Sequence, residues 1–194
     1  MSLLRFIVLA VLLVSSAAFP LRAQDDSKKP SAAAPAAQAA TPPAAKPADV
    51  ASPDAILAAT YDVISGPAGP RDWDRFRSLF VPGARLIAVG KKTGDRLDLR
   101  TFTPEDYVKL GDSYFSKNGF VEREAARTAE RYGNIMQIFS TYESRNAKED
   151  KEPFARGINS FQLYYDGTRW WVVTIFWEEE SPTTPIPQEF LNGK

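Results

Sequence analysis

A chain of 194 residues with no histidine and no cysteine has few ways to do chemistry. Nucleophile systems built on Ser-His-Asp or Cys-His are excluded, as are imidazole bases and most zinc, copper and non-haem iron sites. No oxygen-rich calcium loop, glycine-rich phosphate loop or dinucleotide fingerprint occurs, so neither a metal nor a cofactor is expected. What remains is carboxylate, phenol, amide and guanidinium. The charged candidates are Glu143 in "STYESR" and Glu124, which stands three residues before Arg127. A carboxylate becomes a poised base when burial raises its pKa, and a neighbouring Arg works the other way. The plainer expectation is that these groups form ion pairs on a sheet surface. Tyr61 falls with Leu57 and Ile64 at helical spacing, where a tyrosine is ordinarily core with a wet hydroxyl.

The elements that must position these groups can be read along the chain. Residues 1–23 carry an early Arg5, an apolar run from Phe6 to Val14 and then small residues, the layout of a secretory signal peptide cleaved after Ala18 or Ala23. The run is shorter than the roughly 20 residues a spanning helix needs. Its loss would leave 22 basic against 24 acidic residues, net −2, with no basic footprint for nucleic acid. Residues 24–52 are mostly Ala and Pro without an aromatic, which predicts a disordered linker. A folded domain is expected over 53–180, with an extended Pro-containing tail over 181–194. Ser52-Pro53-Asp54 is a helix start, a second short helix fits 71–80, and Thr103-Pro104-Glu105-Asp106 opens a third with a capping box. "ARLIAVG" and "LDLRTF" read as a strand hairpin. "FVEREAARTAERY" suits either a solvated helix or a strand; Gly133-Asn134 followed by "IMQIFSTYES" favours a long hairpin. Strict alternation would then put Arg123, Arg127 and Arg131 on one face and Glu122, Glu124 and Glu130 on the other.

Helix, helix, hairpin, helix and then long strands ending in "DGTRWWVVTIFW" resembles the nuclear transport factor two-like superfamily. Its best-matching pieces are "WDRFRSLFVPGARL", "GNIMQIFSTYESR" and "RGINSFQLYYDGTRWWVVTIFW", and the resemblance runs from about Asp54 to Glu178. It implies a cone-shaped α+β fold, with three helices from the N-terminal half packed on a curved antiparallel sheet. That fold is shared by polyketide-cyclase-like proteins, ketosteroid isomerase and many binders, so it does not by itself imply a reaction. The resemblance also places Tyr61 where an isomerase of this fold carries its oxyanion-stabilising tyrosine. Many relatives carry an acid in the segment that reads "FVPGA" here, and this chain has Gly83 instead.

The last hairpin decides which residues would face a cavity. A two-residue turn at Asp166-Gly167 would pair Tyr165 with Thr168. One face then carries Asn159, Phe161 and Leu163 opposite Thr174, Val172 and Trp170, and in a cone fold it backs the helices. Tyr61, Asn159, Trp170 and Thr174 are therefore the expected ligand-pocket residues, although Asn159 and Thr174 could equally satisfy each other. The other face would bear Trp171, Val173, Ile175 and Trp177, an exposed apolar strip of the kind that marks association. Two covers are open: a second subunit, giving a homodimer as in many members of the superfamily, or the tail folding back with Ile186, Phe190 and Leu191.

Without His, Cys or the usual acid, the reading is an exported, periplasmic or extracellular bacterial domain that binds a small apolar ligand or a protein without catalysis. The alternative is an isomerase- or cyclase-like enzyme using Tyr61 with Glu143 or Glu124.

Overall fold

Ser52 caps the first long helix by accepting from the Ala55 amide at 3.1 Å, as its sequence position predicts. The structure is a computed structural model that describes residues 41–93 and 96–192. The signal sequence expected over 1–23 and most of the linker expected over 24–52 lie outside the described residues. The described elements are α1 (Pro47–Val50), α2 (Pro53–Ile64), α3 (Trp73–Ser78), β1 (Phe80–Thr93), β2 (Arg96–Phe102), α4 (Pro104–Phe115), β3 (Val121–Tyr132), β4 (Ile135–Arg145), β5 (Ala155–Tyr165), β6 (Trp170–Glu179) and a 3-10 turn at Gln188–Phe190. No described helix is long and apolar enough to cross a membrane. α1 falls within the segment expected to be linker, yet Val50 is buried and Asp49 pairs with Arg75 at 2.8 Å.

The six strands form one curved mixed sheet in the order β2-β1-β6-β5-β4-β3. Every pairing is antiparallel except β1 with β6, which is parallel. α2, α3 and α4 close over one face, and the core between them holds Ile56, Leu57, Phe76, Phe80, Phe161 and Val172. The expected second helix is shorter than predicted: Phe80 opens β1 but still packs on Phe76, with ring centroids 4.7 Å apart. α4 starts with the predicted capping box, Thr103 and Asp106 exchanging backbone bonds. Arg71 fixes the turn after α2 by donating to the carbonyls of Ile64, Gly66, Pro67 and Gly69, of which Ile64 is one that a helix end leaves open.

Two bulges change the faces that alternation predicts. In β3, Glu124 pairs with Tyr142 and Ala126 with Thr141, leaving Ala125 extra. Arg127 thereby moves to the helix-facing side with Glu122 and Glu124, away from Arg123. In the last hairpin the loop has four residues rather than two, because the Asp166 carboxylate accepts from the amides of Thr168 and Arg169, both at 2.8 Å, and the first pair is Tyr165 with Trp170. Val173 then forms a second bulge, between Leu163↔Val172 and Gln162↔Thr174. Beyond it every side chain changes face. Ile175 and Trp177, expected outside, point to the helices opposite Phe161 and Asn159. Thr174, expected inside, faces outward beside Gln162.

The tail is not simply extended. Ser181 and Thr184 form a bridge, and Phe190 lies against Phe139 while its carbonyl accepts from Thr141 Oγ1 on the outer face.

Gly157 sits opposite Tyr142, and a Cβ there would lie 2.3 Å from the Glu178 carbonyl oxygen and 2.6 Å from Tyr142 Oη. Gly157→Ala is expected to cost about 1–3 kcal/mol in urea unfolding, the scale of overpacking in a filled core. A midpoint equal to the wild type's would contradict this packing.

Candidate functional site

Glu122 lies on the helix-facing side of β3, between Phe120 and the bulge, and closes one end of a cavity of about 180 Å³. The walls are mainly apolar: Ile64 from α2, Phe76 from α3, Leu86 from β1, Phe161 from β5, and Ile175 and Trp177 from β6. The polar lining is Glu122, Asn159, Thr60 and three tyrosines, Tyr61, Tyr107 and Tyr142. A wider cleft of about 860 Å³ between α2 and β3 shares Tyr61 and Glu122 with the cavity, so these two residues stand at the passage between them.

The Glu122 carboxyl is bonded on both sides. Ser144 Oγ donates to Oε2 at 2.7 Å, and Asn159 Nδ2 approaches Oε1 at 3.5 Å. Burial pushes its pKa up to about 7 against the lowering effect of those two donors. Tyr61, Tyr107 and Tyr142 are all raised above the usual phenol value, first by burial and then by the Glu122 charge. All three phenols therefore stay protonated at neutral pH.

A second chain of bonds leaves the cavity through Tyr61. Asn159 Nδ2 donates to Tyr61 Oη at 3.2 Å, and Tyr61 Oη lies 2.7 Å from Ser140 Oγ. Ser140 donates its single proton to Glu124 Oε1 at 2.6 Å. The Tyr61 hydroxyl must therefore be the donor to Ser140. Glu124 is held in turn by Arg127, which also reaches Asp54 on α2. The β3 bulge makes this possible by turning Arg127 inward.

The sequence-derived residues divide accordingly. Tyr61 and Asn159 line the cavity together. Trp170 is buried away from it, against Tyr165 and under Arg131, and Thr174 is on the opposite face of the sheet. Glu124 reaches Tyr61 only through Ser140. Glu143 is on the outer face between Arg123 and Arg145; burial raises its pKa, but the two guanidiniums outweigh that and hold the carboxyl below its usual value. This removes Glu143 as a partner of Tyr61. Gly83 has a φ of 82° with nothing within 4 Å of a notional Cβ, and it does not line the cavity. Of the expected interface residues only Trp171 is clearly outward, stacked by Arg169 at 3.6 Å; Val173 is the bulge residue, and Ile175 and Trp177 are inside. Among the described residues no cluster of His, Cys, Asp and Glu could hold a metal ion.

Nothing local singles out Glu122, because an acid in "EREAARTAE" looks like one of a solvated series. A signal was present: Ser140, Tyr142 and Ser144 alternate on β4, and a polar-aromatic inner face needs polar partners across the pair.

No protein-family model matches the chain, and no curated protein matches it in sequence. Solved structures do match in fold. A candidate dehydratase of the nuclear transport factor two-like family from Streptomyces avermitilis superposes with a TM-score of 0.50 at 9% identity, covering 69% of this chain and 96% of that one. A protein of unknown function with a cystatin-like fold from Nostoc punctiforme gives 0.49 at 11%, covering 67% and 89%. A candidate ketosteroid isomerase from Parabacteroides distasonis gives 0.46 at 10%, covering 68% and 89%.

Ionising Glu122 should weaken the fold. The folded state keeps a proton that the unfolded chain has released above about pH 4.5, so stability should fall as pH rises toward 7 and then level off. Relative to Glu122→Gln, the wild type should lose up to about 3 kcal/mol across that window. Urea unfolding of both proteins from pH 4 to 8 measures it, and a difference that is flat or rises with pH would contradict the site. The strand order, the helices closed over one face and the superposition at a TM-score of 0.50 together show that the described chain has the α+β cone fold of nuclear transport factor two-like proteins.

Proposed function

We propose that this chain is an exported bacterial domain that binds a small, largely apolar molecule in the cavity closed by Glu122 and Asn159, and that it works as a homodimer. The observation that carries the binding reading is the cavity itself. Aromatic and aliphatic walls with a few convergent polar groups at one end are the usual make-up of a small-molecule site. Export rests on the charge and apolar run of residues 1–23.

The dimer reading rests on the outer face of the sheet, with its residues revised. Tyr132, Ile135, Tyr164 and Trp171 are successive cross-strand neighbours on that face, and Tyr132 and Ile135 are 84% and 59% exposed. Phe176 is also exposed there. The tail covers Thr141 and part of Phe139 but leaves this row open. An apolar row of this kind is suited to a second subunit.

A second reading is favoured by one observation: a carboxyl pushed up to about 7 among phenols can exchange protons at neutral pH. In that reading the domain is an isomerase- or dehydratase-like catalyst, with Glu122 as the base in place of Glu143 or Glu124.

Native mass spectrometry of the mature protein, recovered gently from its export compartment, tests the main reading. A dimer mass carrying an added small molecule is expected, and a bare monomer overturns both parts of it. Ile135→Glu should convert the dimer to a folded monomer in light scattering; a variant that remains dimeric would move the interface elsewhere. Incubating the recovered ligand with fresh protein separates binder from enzyme. Turnover that inflects near pH 7 and disappears in Glu122→Gln would establish catalysis, and ligand returned unchanged would leave binding as the function.

A further inference from the structure

The three tyrosines around Glu122 differ in what their hydroxyls have left to give. Tyr61 is committed in both directions, donating to Ser140 and accepting from Asn159. Neither Tyr107 nor Tyr142 has a hydrogen bond from its hydroxyl to any described residue, yet both line the cavity with Glu122. Nor are these hydroxyls sealed in the core. Among the described residues the only fully buried side-chain nitrogen or oxygen without a partner is Arg145 Nη1, on the other face.

Both rings are held in place. Tyr107 stacks on Phe76 with centroids 5.3 Å apart and planes 14° apart. Tyr142 lies across its strand partner Gly157, where any Cβ would strike its ring edge and Oη. A phenol fixed by packing, with its proton uncommitted, is a pre-organised donor.

We propose that Tyr107 and Tyr142, rather than Tyr61, are the donors that meet a ligand in this cavity, and that the ligand is an uncharged small molecule presenting a carbonyl or alcohol oxygen on an apolar body. This rests on the binding reading above. The cavity lining has no Lys or Arg to balance an anionic ligand, and the Glu122 charge works against one. Two phenol donors lining one cavity with a carboxyl suit an acceptor oxygen, with the apolar body against Phe161, Ile175 and Trp177.

Cyclohexanone labelled with carbon-13 at its carbonyl is a suitable probe for a cavity of about 180 Å³. NMR titration of the mature wild-type protein should give saturable binding and a downfield carbonyl shift in the bound state. Tyr107→Phe and Tyr142→Phe keep their rings. Each should remove part of that shift and weaken binding about three- to tenfold, the worth of one neutral hydrogen bond. Tyr61→Phe, whose lost proton was committed to Ser140, should change the bound shift less than either of those variants does. Ser140→Ala, which releases the Tyr61 proton from its partner, should increase it. A bound shift that disappears in Tyr61→Phe and survives in both other variants would overturn the assignment while leaving the cavity a binding site. Absence of saturable binding to the wild type would overturn both readings.

Discussion

Everything in this domain depends on the parity of its strands. A side chain on a sheet faces either the helices or the outside, and one extra residue in a strand reverses the choice for all that follow. Ala125 and Val173 are the residues that set it here. The first brings Arg127 to the same side as Glu124, so that it can reach across to Asp54 on α2. The second turns Ile175 and Trp177 inward to complete the cavity wall and puts Phe176 outside. With straight strands the cavity would lose Ile175 and Trp177 from its wall and the Glu124 carboxylate would lose its counter-ion.

The interior then carries an unusual polar load. Ser140, Ser144 and Asn159 are buried, and each is placed beside a tyrosine or a carboxylate. Such a network is tolerable only when its members are bonded, because an unpaired buried polar group costs more than the bond gains. Tyr61 and Glu124 are settled in this way by Ser140 and Arg127. Glu122 is the exception. Its two donors do not offset its burial, so the carboxyl is held well above the ordinary carboxylate range. A carboxyl with its burial uncompensated and one fully paired thus sit on alternate residues of one strand.

The outer face shows a division of labour between chain and environment. The tail crosses it with Phe190 against Phe139 and a backbone bond from Thr141, and Glu180 holds the Ile186 amide at 3.1 Å. An apolar groove of about 220 Å³ remains between Thr184–Pro187 and the strands. The described tail makes its contacts at Thr141 and Phe139, and the row from Tyr132 to Trp171 stays open.

The sequence alone determined what local chemistry dictates. Ser52 and Thr103 mark helix starts because a hydroxyl there satisfies free amides, and those amides are within three residues of it. The order of elements was legible too, and with it the fold, although "FVEREAARTAERY" suited a helix as well as a strand and the last hairpin's register was not. The absence of His and Cys by itself excludes whole classes of mechanism. The tertiary structure decided the faces. Nothing in "WWVVTIFW" distinguishes Val173 as extra, since apolar residues suit either side. The Asp166 carboxylate lengthened the turn through bonds that spacing does not announce. Glu122 became the central acid through contacts with residues up to 37 positions away in sequence, and its environment, rather than its neighbours in the chain, sets its protonation.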